Sequence, residues 1–156
     1  MTDRKHHSDA PPPSTHVALL GFAAMDKIHA EFDELLSSAA NVAPGDWIPI
    51  LSAIDAHLRE HFEAEDKWMI ETDFPPRDCH MDEHAAVLHS SQEVLEAARA
   101  GDTTHVRSFV DELVRWFPGH ADYLDSALAV WMCKRQFGGR PVVLHRARTE
   151  RKVAHG

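Results

Sequence analysis

The sequence predicts an all-α protein, an up-down-up-down four-helix bundle. Three observations predict it. Four long segments repeat apolar residues at alternating spacings of three and four, clusters of Pro, Gly and Asn punctuate them, and no segment alternates with the period of a strand. Val142-Val143-Leu144 is too short for a strand and lies in a basic stretch. Short links between four such segments favour antiparallel neighbours whose apolar stripes face one shared axis.

The first helix follows Pro11-Pro12-Pro13, where Ser14 or Thr15 can cap it, and carries Phe22, Met25, His29, Phe32 and Leu36 on one face. It ends before Asn41 to Gly45. The second opens after Pro44-Gly45 with Asp46 as N-cap, tolerates Pro49 in its first turn, and presents Ile54, Leu58, His61, Glu65 and Trp68. Phe74-Pro75-Pro76 stops it. The third starts at Asp78, turns His80, His84, Val87, Val94 or Leu95, and Ala98 inward, and ends at Gly101. The fourth runs from about Thr103 to Phe137 with Leu113, Trp116, His120, Leu124, Leu128 and Trp131 on its stripe. Pro118-Gly119 interrupts it, and a proline inside a helix removes a backbone hydrogen bond and clashes with the preceding turn, so a kink is expected just before His120.

The bundle is expected over residues 16–137, between a polar, proline-rich tail (1–15) and a basic tail (138–156), both expected to be disordered. A chain of 156 residues with formal net charge −9 has length enough for one core and the wrong sign for a nucleic-acid-binding body. The acid is unevenly spread: seven basic residues face only Glu150 from Lys134 onward. That basic tail could dock an acidic partner or an anionic surface, although a solvated extension is the simpler expectation. No run reaches the roughly 18 apolar residues a membrane helix requires and no leader is evident, so a soluble cytoplasmic protein is expected. Two cysteines, Cys79 and Cys133, are too few for a disulfide framework.

The unusual feature is 13 histidines. Each helix delivers polar groups to the common axis: His29 from the first, His61 and Glu65 from the second, His80 and His84 from the third, and His120 and Asp125 from the fourth. Burying such groups without partners costs several kcal/mol each, roughly the whole stability of a domain when summed. A metal centre removes that penalty. If Glu65 and Asp125 each bridge two metals, they fill four positions, the five imidazoles fill five more, and one oxygen bridge fills two. One of the twelve positions of two octahedral ions then remains for a small ligand. Imidazole with carboxylate suits iron, and the lack of cysteine in the set argues against structural zinc or an iron–sulfur cluster.

These residues resemble the hemerythrin-like domain family, the hemerythrins and their bacterial relatives. The resemblance rests on His29 in MDKIH, His61 and Glu65 in HFEAED followed by Met69, His80 and His84 in HMDEH, and His120 and Asp125 in HADYLD with Trp116 one turn upstream. It implies a non-haem, oxygen-bridged pair of irons that binds dioxygen reversibly. It further implies that His80, His84 and His120 hold one iron, that His29 and His61 hold the other, and that Glu65 and Asp125 bridge them. Glutamate-rich di-iron bundles suit oxygen activation; a mainly neutral ligand set points instead to holding oxygen and releasing it. Two rivals stand beside oxygen storage, delivery or sensing: a di-iron enzyme consuming peroxide or nitric oxide, and a redox- or iron-sensing module whose tail meets a partner.

His120 to Asp125 is a step of five residues, about 140° around an ideal helix. Either a π-like or overwound turn reconciles them, or Asp125 is a solvated residue. His57 is expected as a boundary histidine bonded to a backbone group, with a pocket-lining role as the alternative. His89 and His105 are expected at the surface; His6, His7, His16, His145 and His155 lie in or beside the tails. Trp68, Trp116 and Trp131 are expected as core anchors, with Trp116 as an alternative lining residue of the oxygen pocket, and Cys79 as a helix-start residue turned away from the site, with a redox handle as the alternative.

Overall fold

The computed structural model describes residues 17–136. Helix α1 spans Ala23–Ala40, α2 Trp47–Glu71, α3 Arg77–Arg99 and α4 Val106–His120; a π-helical turn over Ala121–Asp125 joins α4 to α5, Ser126–Gln136. The backbone stays helical from α4 through the π turn into α5, so the three make one rod. Four rods therefore form the expected all-α bundle: α1 packs on α2 and α4, and α3 packs on α2 and α4. No described helix is long and apolar enough to cross a membrane. Both tails, the Ser14 or Thr15 cap, His6, His7, His16, His145, His155 and the end of the last helix at Phe137 lie outside the described residues.

Helix ends differ from expectation for local reasons. The side chain of Asp26, in the first turn of α1, accepts the backbone N–H of Leu20 (2.8 Å) and Gly21 (3.1 Å), and Gly21 turns at φ 90° to permit it. The incoming strap is tied again where Val17 N–H meets Asp33 Oδ2 at 3.1 Å. Asp46 sits at the N-cap of α2 but makes no capping bond, because a 3-10 turn over Pro44–Asp46 already feeds the helix. Gly101, at φ 96°, closes α3: its N–H reaches Ala98 O and that of Asp102 reaches Ala97 O, the double bond of a Schellman cap. The fourth rod starts at Val106, since Asp102 accepts Thr104 N–H and holds the preceding residues in a turn. The helical backbone passes through Pro118, and the departure from α geometry falls three residues later, in the π turn.

The interior is layered. One apolar cluster, including Phe32, Leu36, Ile54, Leu58, Phe62, Leu95, Phe109, Leu113 and Phe117, fills the end where α3 meets α4 through the Gly101 turn. A smaller one of Phe22, Met25, Met69, Phe74, Leu128, Ala129 and Cys133 fills the other. Each helix crosses from one cluster to the other through a short polar stretch. Thus His29 lies between Met25 and Phe32, Glu65 between Phe62 and Met69, and His120 and Asp125 between Phe117 and Leu128. The tryptophans are not the anchors expected of them. Trp68, Trp116 and Trp131 are half-buried at the cluster margins, where an indole N–H can reach a partner, as Trp131 reaches Thr72 Oγ1 at 2.8 Å. His89 and His105 are exposed as expected, and so is Cys79.

Candidate metal centre

The polar layer gathers all seven residues singled out from the sequence, each no more than 3% exposed. Their nitrogens and oxygens form two overlapping groups. Glu65, His80, His84, His120 and Asp125 make one, and His29, His61, Glu65 and Asp125 the other; within each group one ligand atom per residue lies within 4.8 Å of the rest. Glu65 and Asp125 belong to both. The π turn explains how His120 and Asp125 come together: its wider winding brings a five-residue step onto one face, so Asp125 is fully buried and not solvated.

Asp125 is the hub. Its Oδ1 lies 2.9 Å from His80 Nε2 and 3.1 Å from His120 Nε2, while Oδ2 lies 3.0 Å from His29 Nε2. Glu65 Oε1 lies 3.0 Å from His61 Nε2 and 3.7 Å from His84 Nε2. All but the last are hydrogen-bond distances, yet both carboxylates and the Nε2 atoms of His29 and His61 lack hydrogen-bond geometry to any described group. Such atoms are costly in a protein interior unless something else binds them. His80 Nε2 and His84 Nε2 each approach His120 Nε2 to 3.2 Å. An octahedral ion with bonds of about 2.1 Å has edges of about 3 Å, so three lone pairs at this spacing are ready for one face of a metal. The residues present fit a pair of cations.

The electrostatics agree. Burial, followed by the charge of Asp125, pushes the Glu65 carboxyl well above the usual range. Burial also opposes ionisation of Asp125, but the imidazoles of His120, His29 and His80 outweigh it and hold that carboxyl far down. Burial, then the neighbouring His29, drives His61 well below its ordinary value, and burial lowers His84 despite its bond to Asp66. The imidazoles of His61 and His84 are thus kept neutral, as ligands must be. His120 is the exception: burial opposes its charge, but Asp125 and Glu83 raise it.

Two supporting carboxylates were not singled out from the sequence. Asp66 Oδ1 accepts from His84 Nδ1 at 2.7 Å, and Glu83 Oε1 accepts from His120 Nδ1 at 2.9 Å and from Trp116 Nε1 at 2.7 Å. A carboxylate can only accept, so each fixes the tautomer that leaves Nε2 bare toward the centre. Each stands next to a ligand candidate in HFEAED and HMDEH, which was the available signal. Glu83 nevertheless serves a histidine on another rod, and adjacency alone does not reveal that. Phe62 stacks on His84 with centroids 4.0 Å apart, and the Trp116 ring lies 4.4 Å from His120. Replacing Asp66 by Asn or Glu83 by Gln is expected to weaken metal binding by about 10- to 100-fold, read by chelator competition, with the helical content unchanged.

His57 makes no backbone bond through Nε2, contrary to expectation; that atom is buried without a hydrogen-bond partner among the described residues. Its ring stacks on Phe32 with centroids 4.9 Å apart and meets the edge of His61 at 5.3 Å.

Fold and site together define the class: a four-helix bundle that buries a histidine–carboxylate cluster suited to two metal ions. The chain belongs to the hemerythrin HHE cation binding domain family, whose sequence model matches residues 20–131. It is similar to a bacteriohemerythrin from Ralstonia nicotianae, 40% identical over 116 residues that cover 74% of this chain and 85% of that protein. No solved structure matches it.

Proposed function

We propose that the protein binds dioxygen reversibly at a non-haem di-iron centre, for storage, delivery or sensing. In this reading His80, His84 and His120 hold one iron, His29 and His61 hold the other, and Glu65 and Asp125 bridge them. The single observation that carries it is the asymmetry of the two overlapping groups: three imidazoles serve one and two serve the other, while both share the same carboxylates. The poorer group is the one with a position to spare for a small ligand. When bound, the irons supply the electrons and the coordination position that dioxygen requires.

The chain's own residues supply the rest. Phe32 and Phe117 pack against the rings of His29 and His61, with Phe117 5.1 Å from His29 and Phe32 5.7 Å from His61, and so form an apolar wall on the bundle-core flank of the poorer side. Asp66 and Glu83 orient two imidazoles of the richer group, so reorganisation at that metal is restrained. Both features support binding a gas and returning it unchanged, as does the name of the bacteriohemerythrin relative.

Purified protein is expected to hold about two irons per chain. Reduced protein should gain visible charge-transfer absorption with dioxygen and lose it on deoxygenation. Steady turnover of peroxide or nitric oxide with no reversible spectral change would replace this reading with an enzymatic one.

A further inference from the structure

Between α1 and α2 lies a cavity of about 140 Å³ lined by Ile28, Glu31, His57, Glu60 and His61. That volume equals roughly four or five molecules of liquid water, room for an ion that has shed part of its hydration shell. The cavity reaches His61, which is 1% exposed and turns Nε2 to Glu65 while its Nδ1 has no hydrogen-bond partner among the described residues. Between surface and centre stands His57, clamped on Phe32, with its buried Nε2 equally unpartnered. Glu31 and Glu60 are exposed, and both carboxylates act electrostatically on His57. Lys27 approaches Glu31 only to 4.0 Å, and both side chains are more than half exposed, so this pair neutralises little.

The sign of these groups selects the traveller. Two carboxylates repel anions and do nothing for a neutral diatomic gas, but they concentrate cations. An imidazole nitrogen with no competing hydrogen bond is a ready transient ligand for a first-row divalent metal. A second cavity, of about 430 Å³, lies beside His29 and is also acidic, through Asp26, Asp33 and Glu34. There, however, Asp26 and Asp33 take backbone N–H groups of residues 17–21, and among the described residues His29 is the one histidine that lines it.

We propose that the His57 cavity is the loading port of the metal centre: Glu31 and Glu60 draw in ferrous iron or a similar divalent cation, and His57 passes it to His61. The step exchanges water for imidazole and changes no oxidation state. It rests on the metal-centre reading above.

The test follows anaerobic uptake of ferrous ion by the metal-stripped full-length chain, in competition with a coloured ferrous chelator. His57→Leu and the double variant Glu31→Gln/Glu60→Gln should each load on the order of tenfold more slowly than the parent while reaching the same final iron content. Added salt should erase the difference for the glutamate pair but not for His57→Leu. Glu34→Gln, in the other cavity, should load at the parental rate. Should His57→Leu misfold when stripped, iron release from its loaded form to the chelator gives the same information, since a slower path is slower in both directions. Parental loading rates in both variants overturn the proposal, as does an equal slowing in Glu34→Gln, or slowed azide binding to the loaded protein with unchanged iron uptake. A parent chain that takes up no iron at all would overturn the metal-centre reading itself.

Discussion

Glu65→Gln is expected to strip the protein of iron and to make the metal-free chain more stable. Glu65 is fully buried, belongs to both candidate ligand groups, and faces Asp125 across a layer in which no described buried residue is Lys or Arg. On the di-iron reading proposed above, losing a shared ligand weakens both metals at once, and ligand binding at a thousandfold excess over Kd is worth about 4 kcal/mol of stability that vanishes with the metal. In the stripped chain the sign reverses. The Glu65 carboxyl is pushed up in the folded state, first by burial and then by Asp125, so the folded chain binds a proton more tightly there than the unfolded chain does. Its contribution is intact below the ordinary carboxyl pKa and is lost as pH rises through the elevated one. Glutamine removes that loss. The stripped parent should therefore become less stable than stripped Glu65→Gln as pH rises, whereas loaded parent should be the more stable of the two. Metal must also displace the Glu65 proton, so metal affinity of the parent should climb with pH. Iron assay and thermal melts at several pH values measure all of this, with His61→Ala expected to lose iron likewise. Unchanged iron content in both variants would refute the ligand assignment.

Phe117→Ala should be among the most damaging single changes outside the ligand set. Its ring is 1% exposed and packs edge-on against His29 (5.1 Å) and Phe32 (4.8 Å). Truncating a buried phenylalanine costs about 3–5 kcal/mol, because the cavity it leaves does not collapse. Here the void would open beside His29, on the poorer side of the centre, so water would gain access and the ring of His29 would lose a wall. The variant should melt well below the parent and, where folded, lose the oxygenated absorption spontaneously at a faster rate. Phe117→Leu, closer in volume, should recover most of the stability. A Phe117→Ala variant that melts with the parent would show that this ring does not support the site.

Much of the buried polar cluster was legible because most of its members obey helical periodicity. His61 and Glu65, or His80 and His84, stand four apart on a stripe that is otherwise apolar, and a polar group on such a stripe needs a partner. The supporting carboxylates were less legible. Asp66 and Glu83 sit next to ligands, about 100° around the helix, and which imidazole each meets depends on the rotation of neighbouring rods. Glu83 crosses from α3 to His120 and Trp116 on α4. The tryptophans misled for a related reason: hydrophobicity places them on a stripe, but their N–H groups and bulk hold them at its edge. The start of α1 differs because Asp26 reaches back to hold the non-helical residues Leu20 and Gly21, a contact that depends on the turn at Gly21 and that no upstream capping signal reveals.

By itself, then, the order of residues determined that this protein is helical, that four stripes converge, and that five imidazoles and Glu65 lie on them, since all of this follows from a spacing of 3.6 residues per turn, whereas the five-residue step to Asp125 does not. Only the tertiary structure decided which of those groups share atoms within reach. Asp125 becomes the hub through the extra width of the π turn, Glu65 is drawn into both groups by the packing of α2 on α3, and His57 Nε2 is left without a hydrogen-bond partner among the described residues, beside a cavity between α1 and α2. Periodicity sets the face on which a side chain emerges. The distance across the bundle is set by how four rods rotate and settle against two apolar clusters, and that is a property of the packed whole.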